Sequence, residues 1–147
     1  METINVTVTK RFEFCYGHHL PEYSGKCCVQ HGHNAILDIE VSGAPFNLVE
    51  PYAGMTCDFG TLKKIVTERV LDILDHQNLN DLPAPDYGPT DEGFTEEESV
   101  FFVMASVPTA ENTVRWIVAT LYETFGMNLH RVRLYETPDS YAEWCRV

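Results

Sequence analysis

Two stretches of alternating polarity constrain the fold of this 147-residue chain more than any other feature. In residues 3–14 the apolar side chains share one parity and the polar side chains between them share the other. The apolar set consists of Ile4, Val6, Val8, Phe12 and Phe14. Residues 33–42 alternate in the same way, with an apolar set of Ala35, Leu37, Ile39 and Val41. Because side chains two residues apart on a strand face the same way, both stretches predict half-buried strands, which we expect to pair antiparallel.

Two amphipathic helices are predicted further along the chain, each from apolar residues at helical spacing. The first stripe consists of Leu62, Ile65, Val66, Val70, Ile73 and Leu74. Asp58 or Thr61 can cap this helix, which we expect to end near residues 75–78. The second stripe consists of Val114, Ile117, Val118, Leu121, Tyr122 and Phe125. Thr109 is its expected N-cap, and Gly126 suits its C-terminal stop.

Residues 129–136 and 140–145 predict a third and a fourth strand. The order strand, strand, helix, helix, strand, strand is typical of an α+β fold, a four-stranded antiparallel sheet with two helices on one face. We expect residues 1–147 to form a single domain, with an insertion between the helices at about 83–106. The apolar end of that insertion, residues 99–107, predicts a short strand or packed extended segment. The open edges of such a sheet favour oligomerisation.

Composition excludes several classes of protein. The net charge of −12 argues against non-specific binding of nucleic acid. No apolar run approaches the roughly 18 residues of a membrane span, and the first residues carry no secretory signal, so a cytoplasmic location is expected. The five cysteines are odd in number and form no regular framework, which favours free thiols. We expect Cys15, Cys57 and Cys145 to be packing residues.

Three histidines are candidate metal ligands. His31 and His33 stand two residues apart at the start of the second strand, so their imidazoles point the same way. His18 follows the first strand, and antiparallel pairing would bring it to the same end. Three histidines with one open position are typical of catalytic zinc. Two alternatives remain from the residues alone: the HGH segment is a turn with surface histidines, or His19 takes the place of His18.

A cysteine lies close to this predicted metal. Cys27 stands four residues before His31 and next to Lys26, and a thiol near positive charge loses its proton more easily and can act as a base. An ordinary loop cysteine is the alternative. Cys28 is a rival for the same role, and either thiol could instead be a fourth zinc ligand.

Two further acidic positions suit proton transfer and substrate binding. Asp75 precedes His76 at the end of the first helix, and a carboxylate can orient an imidazole for proton transfer. Adjacent residues on a helix point about 100° apart, so a direct contact between Asp75 and His76 does not follow from the sequence. The alternative is a histidine that is only favoured by the helix dipole at the C-terminal end. Glu136 ends the third strand at the rim of its apolar face. A carboxylate there can accept two parallel hydrogen bonds from a planar N–C–N donor edge. The alternative is an exposed glutamate at the end of a strand.

Six motifs occur in a specific order: FEFCYGHHLP, KCCVQHGHN, DFGTLKK, LDHQNLND, PTAEN and LYET. In this order they resemble the 6-pyruvoyl-tetrahydropterin synthase family, including the bacterial 6-carboxytetrahydropterin synthases of queuosine biosynthesis. The resemblance covers nearly the whole chain except about residues 83–106. It implies the tunnelling fold, in which three subunits close their sheets into a barrel and two trimers stack into a homohexamer.

The resemblance also implies roles for individual residues. Zinc would be bound by His18, His31 and His33, and the match selects His18 over His19. The base cysteine matches Cys27, although the Cys27–Cys28 pair departs from the single cysteine expected. The family's relay pair matches Asp75 and His76, its pterin-anchoring glutamate matches Glu136, and its pterin pocket matches Thr109, Ala110, Glu111 and Asn112.

The three residues between Cys27 and His31 resemble the bacterial carboxy-type enzymes. This implies a zinc-dependent lyase that converts 7,8-dihydroneopterin triphosphate to 6-carboxy-5,6,7,8-tetrahydropterin, with loss of acetaldehyde and triphosphate. Two alternatives are a 6-pyruvoyl-tetrahydropterin synthase or another dihydroneopterin-processing paralogue, and a non-catalytic pterin-binding protein. The long acidic insertion has no counterpart in the compact bacterial members. The small-molecule pterin is the expected partner, besides further copies of the chain.

Overall fold

A long antiparallel pair of strands forms the centre of the structure. The structure, a computed structural model, describes residues 4–43, 54–83 and 96–147. Strand β1 (Val6–His18) pairs with strand β2 (His31–Gly43) along its whole length, so that His18 lies opposite His31. β1 continues past the predicted end because its alternation persists: Phe14, Tyr16 and His18 are all buried. The strand therefore ends on a histidine, directly beside the HGH segment.

In the part of the chain that the structure describes, three further strands complete a five-stranded sheet of order β3-β1-β2-β4-β5. Strand β4 (Leu129–Thr137) pairs antiparallel with β2, and strand β5 (Ser140–Cys145) pairs antiparallel with β4. These are the four antiparallel strands that the sequence predicts. The unpredicted strand β3 (Gln77–Asn78) is only two residues long and runs parallel to β1 beside Tyr16 and Gly17, which makes the sheet mixed.

The first predicted helix is interrupted within its length. Helix α1 (Phe59–Val66) passes through a π-helical turn (Thr67–Leu71) into helix α2 (Asp72–Leu74). Asp58 caps α1, because its carboxylate accepts a 2.7 Å hydrogen bond from the backbone N–H of Thr61. The residues of the predicted stripe that are fully buried are Leu62, Val66, Val70 and Leu74. The helical stretch thus carries the chain along the sheet and ends just before Asp75.

The second predicted helix is α4 (Ala110–Phe125), which follows helix α3 (Glu96–Ser106). Thr109 caps α4 by accepting a 3.1 Å hydrogen bond from Asn112 N–H, and Gly126 ends it at a positive φ of 52°. The side chains of both helical regions form one core with the apolar face of the sheet. The described helices therefore lie on one face, as the α+β prediction requires. None of them is both long and apolar enough to cross a membrane.

Helix α3 corrects the prediction for residues 99–107. The stretch SVFFVMASV does not form a strand or an extended segment, since α3 covers it up to Ser106. Phe101 and Met104, one helical turn apart, are both buried, and the Phe101 ring packs on Trp116 of α4 at 6.0 Å. The periodicity of a short apolar run does not distinguish a buried helix from a strand. The contact with α4 therefore determines that this segment is helical.

Parts of three predictions lie outside the described residues. These are the first residue of the predicted strand 3–14, residues 44–53 of the connection after β2, and residues 84–95 of the insertion, which include most of its acidic part.

Candidate metal centre and acidic cluster

The ends of β1 and β2 bring three imidazoles together. His18, His31 and His33 each offer a ring nitrogen, and these atoms lie within 4.8 Å of one another. The Nε2 atoms of His18 and His33 are 3.0 Å apart. His31 and His33 converge because they are two residues apart on one strand, and the register then places His18 opposite His31. The structure therefore assembles the predicted ligand set, and this site is called the histidine trio below.

Backbone carbonyls hold two of these rings by their Nδ1 atoms. His18 Nδ1–H donates to the carbonyl of Pro108 at 2.6 Å, and His31 Nδ1–H donates to the carbonyl of Val29 at 2.7 Å. A carbonyl only accepts, so in each neutral ring the lone pair lies on Nε2, and the Nε2 of His18 faces His33. Burial lowers the pKa of His18, which favours the neutral imidazole that binds metals. The donor set thus fits a metal ion with an affinity for nitrogen.

His19 does not join the trio. Its ring hydrogen-bonds Gln30, with 3.1 Å between Nδ1 and Oε1, and its backbone N–H donates to the side chain of Asn80. β1 ends at His18, so His19 lies outside the strand and its ring is held by Gln30 instead of facing the trio.

A carboxylate and a phenol border the trio. Glu136, near the end of β4, has its Oε1 3.7 Å from His18 Nε2 and its Oε2 3.8 Å from His33 Nε2. The hydroxyl of Tyr16 donates to Glu136 Oε1 at 2.9 Å. Burial, helped by the charge of Glu136 and this hydrogen bond, raises the pKa of Tyr16, so the hydroxyl remains a donor. Sequence reasoning missed Tyr16, although its parity with Phe14 and His18 placed it on the same face.

Asp75 and His76 form a direct pair. Asp75 Oδ1 lies 2.9 Å from His76 Nδ1. The helical angle of about 100° between neighbours does not apply, because the chain leaves the helix here and His76 adopts a positive φ of 60°. Positive φ is uncommon for a residue other than glycine, and such conformations cluster at functional sites.

Cys15 lies beside this pair, which corrects the view of Cys15 as a packing residue. Its backbone N–H donates to Asp75 Oδ1 at 3.1 Å, and its Sγ is 3.8 Å from His76 Nε2. Adjacent strand residues face opposite sides, so this cluster and the side chain of Tyr16 lie on opposite faces of β1. The prediction failed because Cys15 sits on the polar parity of β1, where its partner comes from a residue 61 positions away.

The two loop cysteines lie in a 3-10 turn at Lys26–Cys28. Cys27 is half-buried and Cys28 is exposed. The carbonyl of Cys27 accepts a 2.7 Å hydrogen bond from Leu20 N–H, which ties the turn to the end of β1. Within the described ranges, no hydrogen bond joins the Cys27 thiol to His76.

The PTAEN motif begins α4 and touches the histidine trio through its proline. Pro108 provides the carbonyl that holds His18, Thr109 caps the helix, and Ala110 and Glu111 form its first turn. Asn112 turns back to donate to the carbonyl of Val107 at 2.9 Å. The motif is thereby fixed next to the trio.

Comparison with known proteins agrees with these features. A sequence model described as "6-pyruvoyl tetrahydropterin synthase" matches residues 7–146. A Haemophilus influenzae protein named 6-carboxy-5,6,7,8-tetrahydropterin synthase is 31% identical over 137 residues, which are 93% of this chain and 96% of that protein. A Dictyostelium discoideum 6-pyruvoyl tetrahydrobiopterin synthase is 31% identical over 119 residues, covering 80% of this chain and 72% of that protein.

A similar solved structure is that of Caenorhabditis elegans 6-pyruvoyl tetrahydropterin synthase. It superposes with a TM-score of 0.73 at 25% identity and covers 100% of this chain and 99% of that one. The predicted tunnelling fold is confirmed, with the additional strand β3 as a difference in detail. The predicted enzyme class, a lyase of this family, is confirmed as well. From its motifs, its fold and these matches, the chain belongs to the 6-pyruvoyl tetrahydropterin synthase family.

Proposed function

We propose that this enzyme converts 7,8-dihydroneopterin triphosphate to 6-carboxy-5,6,7,8-tetrahydropterin and releases acetaldehyde and triphosphate. The observation that carries the proposal is the approach of Glu136 to within 3.8 Å of two histidines of the trio. This arrangement offers a nitrogen-rich metal site and a carboxylate for a pterin ring side by side. The names of relatives such as the Haemophilus influenzae protein, and the Cys27–His31 spacing, support the carboxy product.

The metal proposed for the trio is Zn²⁺, held by the Nε2 atoms of His18, His31 and His33. Three neutral imidazoles with an open fourth position suit catalytic zinc. When bound, the ion supplies Lewis acidity toward the hydroxyl oxygens of the substrate side chain. The carbonyls of Pro108 and Val29 support this assignment, because hydrogen bonds on Nδ1 are the usual outer partners of zinc-binding histidines.

Glu136 is proposed to hold the aminopyrimidinone edge of the pterin. Its carboxylate can accept two parallel N–H hydrogen bonds, which would fix the ring relative to the trio. Tyr16 takes one lone pair of Oε1 and thereby sets the orientation of the carboxylate. A carboxylate offers about four acceptor sites, so the hydrogen bond from Tyr16 leaves enough acceptor sites for the two substrate N–H groups. Thr109, Ala110 and Glu111 are proposed to border the same pocket, since they follow directly on Pro108.

Two groups are proposed to move protons. The Cys27 thiolate takes a proton from the substrate side chain, and His76, oriented by Asp75, exchanges the next one. Within one chain, His76 contacts Cys15 on the face of β1 that is opposite to the trio. We therefore propose that His76 of one copy serves the trio of a neighbouring copy.

The sheet supports such an assembly. β5 is one edge of the sheet, and β3 covers only Tyr16 and Gly17 of β1 at the other edge. Counting only pairing among residues 4–43, 54–83 and 96–147, most of this edge of β1 thus presents unpaired backbone groups to a further strand. A ring of copies joined edge to edge would pair them, in agreement with the proposed hexamer of two stacked trimers. Native mass spectrometry tests the hexamer directly.

The central experiment is product analysis. The zinc-loaded protein is incubated with 7,8-dihydroneopterin triphosphate, and pterins and acetaldehyde are measured by liquid chromatography with mass spectrometry. The proposal predicts 6-carboxy-5,6,7,8-tetrahydropterin and acetaldehyde in equal amounts. A 6-pyruvoyl product would contradict the carboxy assignment, and pterin binding without turnover would indicate a binding protein. His18→Ala is expected to lose bound zinc and activity, and its neighbour variant His19→Ala is the matched control.

A second experiment tests the proton-transfer groups. Cys27→Ala is expected to abolish turnover, with Cys28→Ala as the matched control that retains it; the reverse result would make Cys28 the base. Mixing Cys27→Ala subunits with His76→Asn subunits is expected to restore part of the activity, because some neighbouring pairs regain both groups. Asparagine is chosen because it tolerates the positive φ of residue 76. Mixed oligomers without activity would contradict the proposed transfer between copies.

A further inference from the structure

Cys15 is a thiol that the proposed reaction does not use, and it lies against the Asp75–His76 pair. The Cys15 Sγ faces His76 Nε2 at 3.8 Å, and Asp75 Oδ1 faces Nδ1 of the same ring at 2.9 Å. The imidazole therefore contacts both the thiol and the carboxylate, each through a different ring nitrogen. This is the arrangement in which a base takes the proton of a nucleophile and a third group orients the base.

The cluster is rigidly connected. The His76 backbone N–H donates to the Cys15 carbonyl at 2.7 Å, and the Cys15 N–H donates to Asp75 Oδ1 at 3.1 Å. These two bonds tie the backbone of Cys15 to His76 and to Asp75. His76 adopts a positive φ of 60°, a conformation that costs free energy for a residue other than glycine. The conformation turns the ring back toward Cys15 while keeping Nδ1 on Asp75.

The same three side chains could be considered as metal ligands, since one ligand atom of each lies within 4.8 Å of the others. The Asp75 oxygen nearest the ring is engaged with His76 Nδ1 and with Cys15 N–H. This oxygen therefore binds the ring and the backbone, and the His76 nitrogen that remains, Nε2, lies 3.8 Å from the thiol sulfur. The hydrogen-bond pattern favours an activated thiol over a metal site.

We propose that Cys15 is a second reactive thiol of this protein, activated by His76 and Asp75, which takes soft carbon electrophiles such as alkyl halides and activated alkenes. In the step with an alkyl halide, the Cys15 proton moves to His76 Nε2 and the thiolate attacks carbon. One S–C bond forms, one carbon–halogen bond breaks, and halide leaves with the bonding electron pair. Within a single copy, Cys15 is half-buried and the His76 side chain is 76% exposed, so small reagents reach the cluster from the side of His76.

The test is site-resolved alkylation of the full-length protein as purified. The protein is treated with iodoacetamide near neutral pH for short times, and the labelling rate of each cysteine is read from peptide mass spectra. Cys15 is expected to react faster than Cys28 although Cys28 is more exposed. His76→Asn is expected to slow the labelling of Cys15 about a hundredfold, the lower end of general-base effects, without changing the rate at Cys28.

Two further variants separate activation from altered folding. His130→Asn is the matched control, because His130 lies on β4 beside Glu40 and has no contact with the cluster among the described residues, and it is expected to leave the Cys15 rate unchanged. Asp75→Asn retains an acceptor for Cys15 N–H but removes the charge, and a several-fold decrease at Cys15 is expected. Circular dichroism establishes that each variant is folded. The proposal is overturned if Cys15 in folded His76→Asn protein reacts within twofold of wild type, or if Cys15 reacts more slowly than Cys28 in the wild type. Because the readout is labelling, failure of the proposed pterin reaction would not affect it.

Discussion

Tyr16→Phe removes one buried hydroxyl and leaves the packing of its ring in place. Tyr16 is only 3% exposed, and its ring meets His18 edge-on at 5.3 Å, a contact that phenylalanine retains. The hydroxyl donates to Glu136 Oε1 at 2.9 Å. The substitution therefore tests one hydrogen bond to a carboxylate and the ionisation of one phenol, without creating a cavity.

The expected magnitude has two parts. A hydrogen bond to a charged group contributes about 1.5–3 kcal/mol, and water can partly replace the donor at Glu136, so we expect a loss of about 1–2 kcal/mol near neutral pH. The second part depends on pH. Burial raises the pKa of Tyr16 above its ordinary value of 10.0, so the folded protein keeps a proton that the unfolded chain releases. Wild type should then lose about 1.4 kcal/mol between about pH 9 and about pH 11 through this group.

The direction of this pH dependence follows from the number of protons that the folded and unfolded states bind. Below pH 10 both states hold the phenolic proton and the contribution of Tyr16 is fully present; above it only the folded state does, and stability falls as pH rises. Urea denaturation at several pH values, at one protein concentration, gives the free energy of unfolding of wild type and Tyr16→Phe. Their difference should shrink above pH 10 by the stated amount. Tyr141→Phe, at an exposed tyrosine, is the matched control. A wild-type minus Tyr16→Phe difference that stays constant from pH 9 to pH 11 would refute the reasoning.

Substitutions at three other positions test the packing and the helix ends. Met104→Ala removes a fully buried side chain of α3 and is expected to cost about 2–5 kcal/mol in urea denaturation; a loss below about 1 kcal/mol would show that α3 contributes little to the core. Thr109→Ala removes the N-cap of α4 and should cost about 1 kcal/mol, whereas Thr109→Ser, which retains the cap, should cost less. Hydrogen bonds from the backbone N–H and hydroxyl of Thr61 lower the pKa of Asp58, so its contribution is present above the pKa of the unfolded chain and is lost as pH falls through the lower folded pKa. Asp58→Asn should reduce the loss of unfolding free energy as the pH falls. A loss at acid pH identical to that of wild type would contradict the role of the carboxylate.

The sequence by itself determined the elements whose patterns are local. Alternation over 3–14 and 33–42 indicated the central strands, and helical spacing indicated the segments that became α1 and α4. The caps Asp58 and Thr109 were visible because an N-cap bonds a residue only three positions away. The i, i+2 spacing of His31 and His33 was sufficient to predict that their rings converge. The order of six motifs indicated the family, which the comparisons then confirmed.

Only the tertiary structure decided the contacts between distant segments. Whether residues 99–107 form a strand or a helix depended on the surface of α4, because an apolar run without periodicity packs in either form. The bonds of His18 to Pro108 and of Tyr16 to Glu136 join positions 90 and 120 residues apart, and no spacing rule predicts such pairs. Cys15 meets His76 because β3 returns beside β1 and a positive φ turns the histidine back. Strand period and register therefore determined the histidine trio. The groups that orient the trio, and the contacts of Cys15 with His76 and Asp75, depended on the packing of the whole sheet.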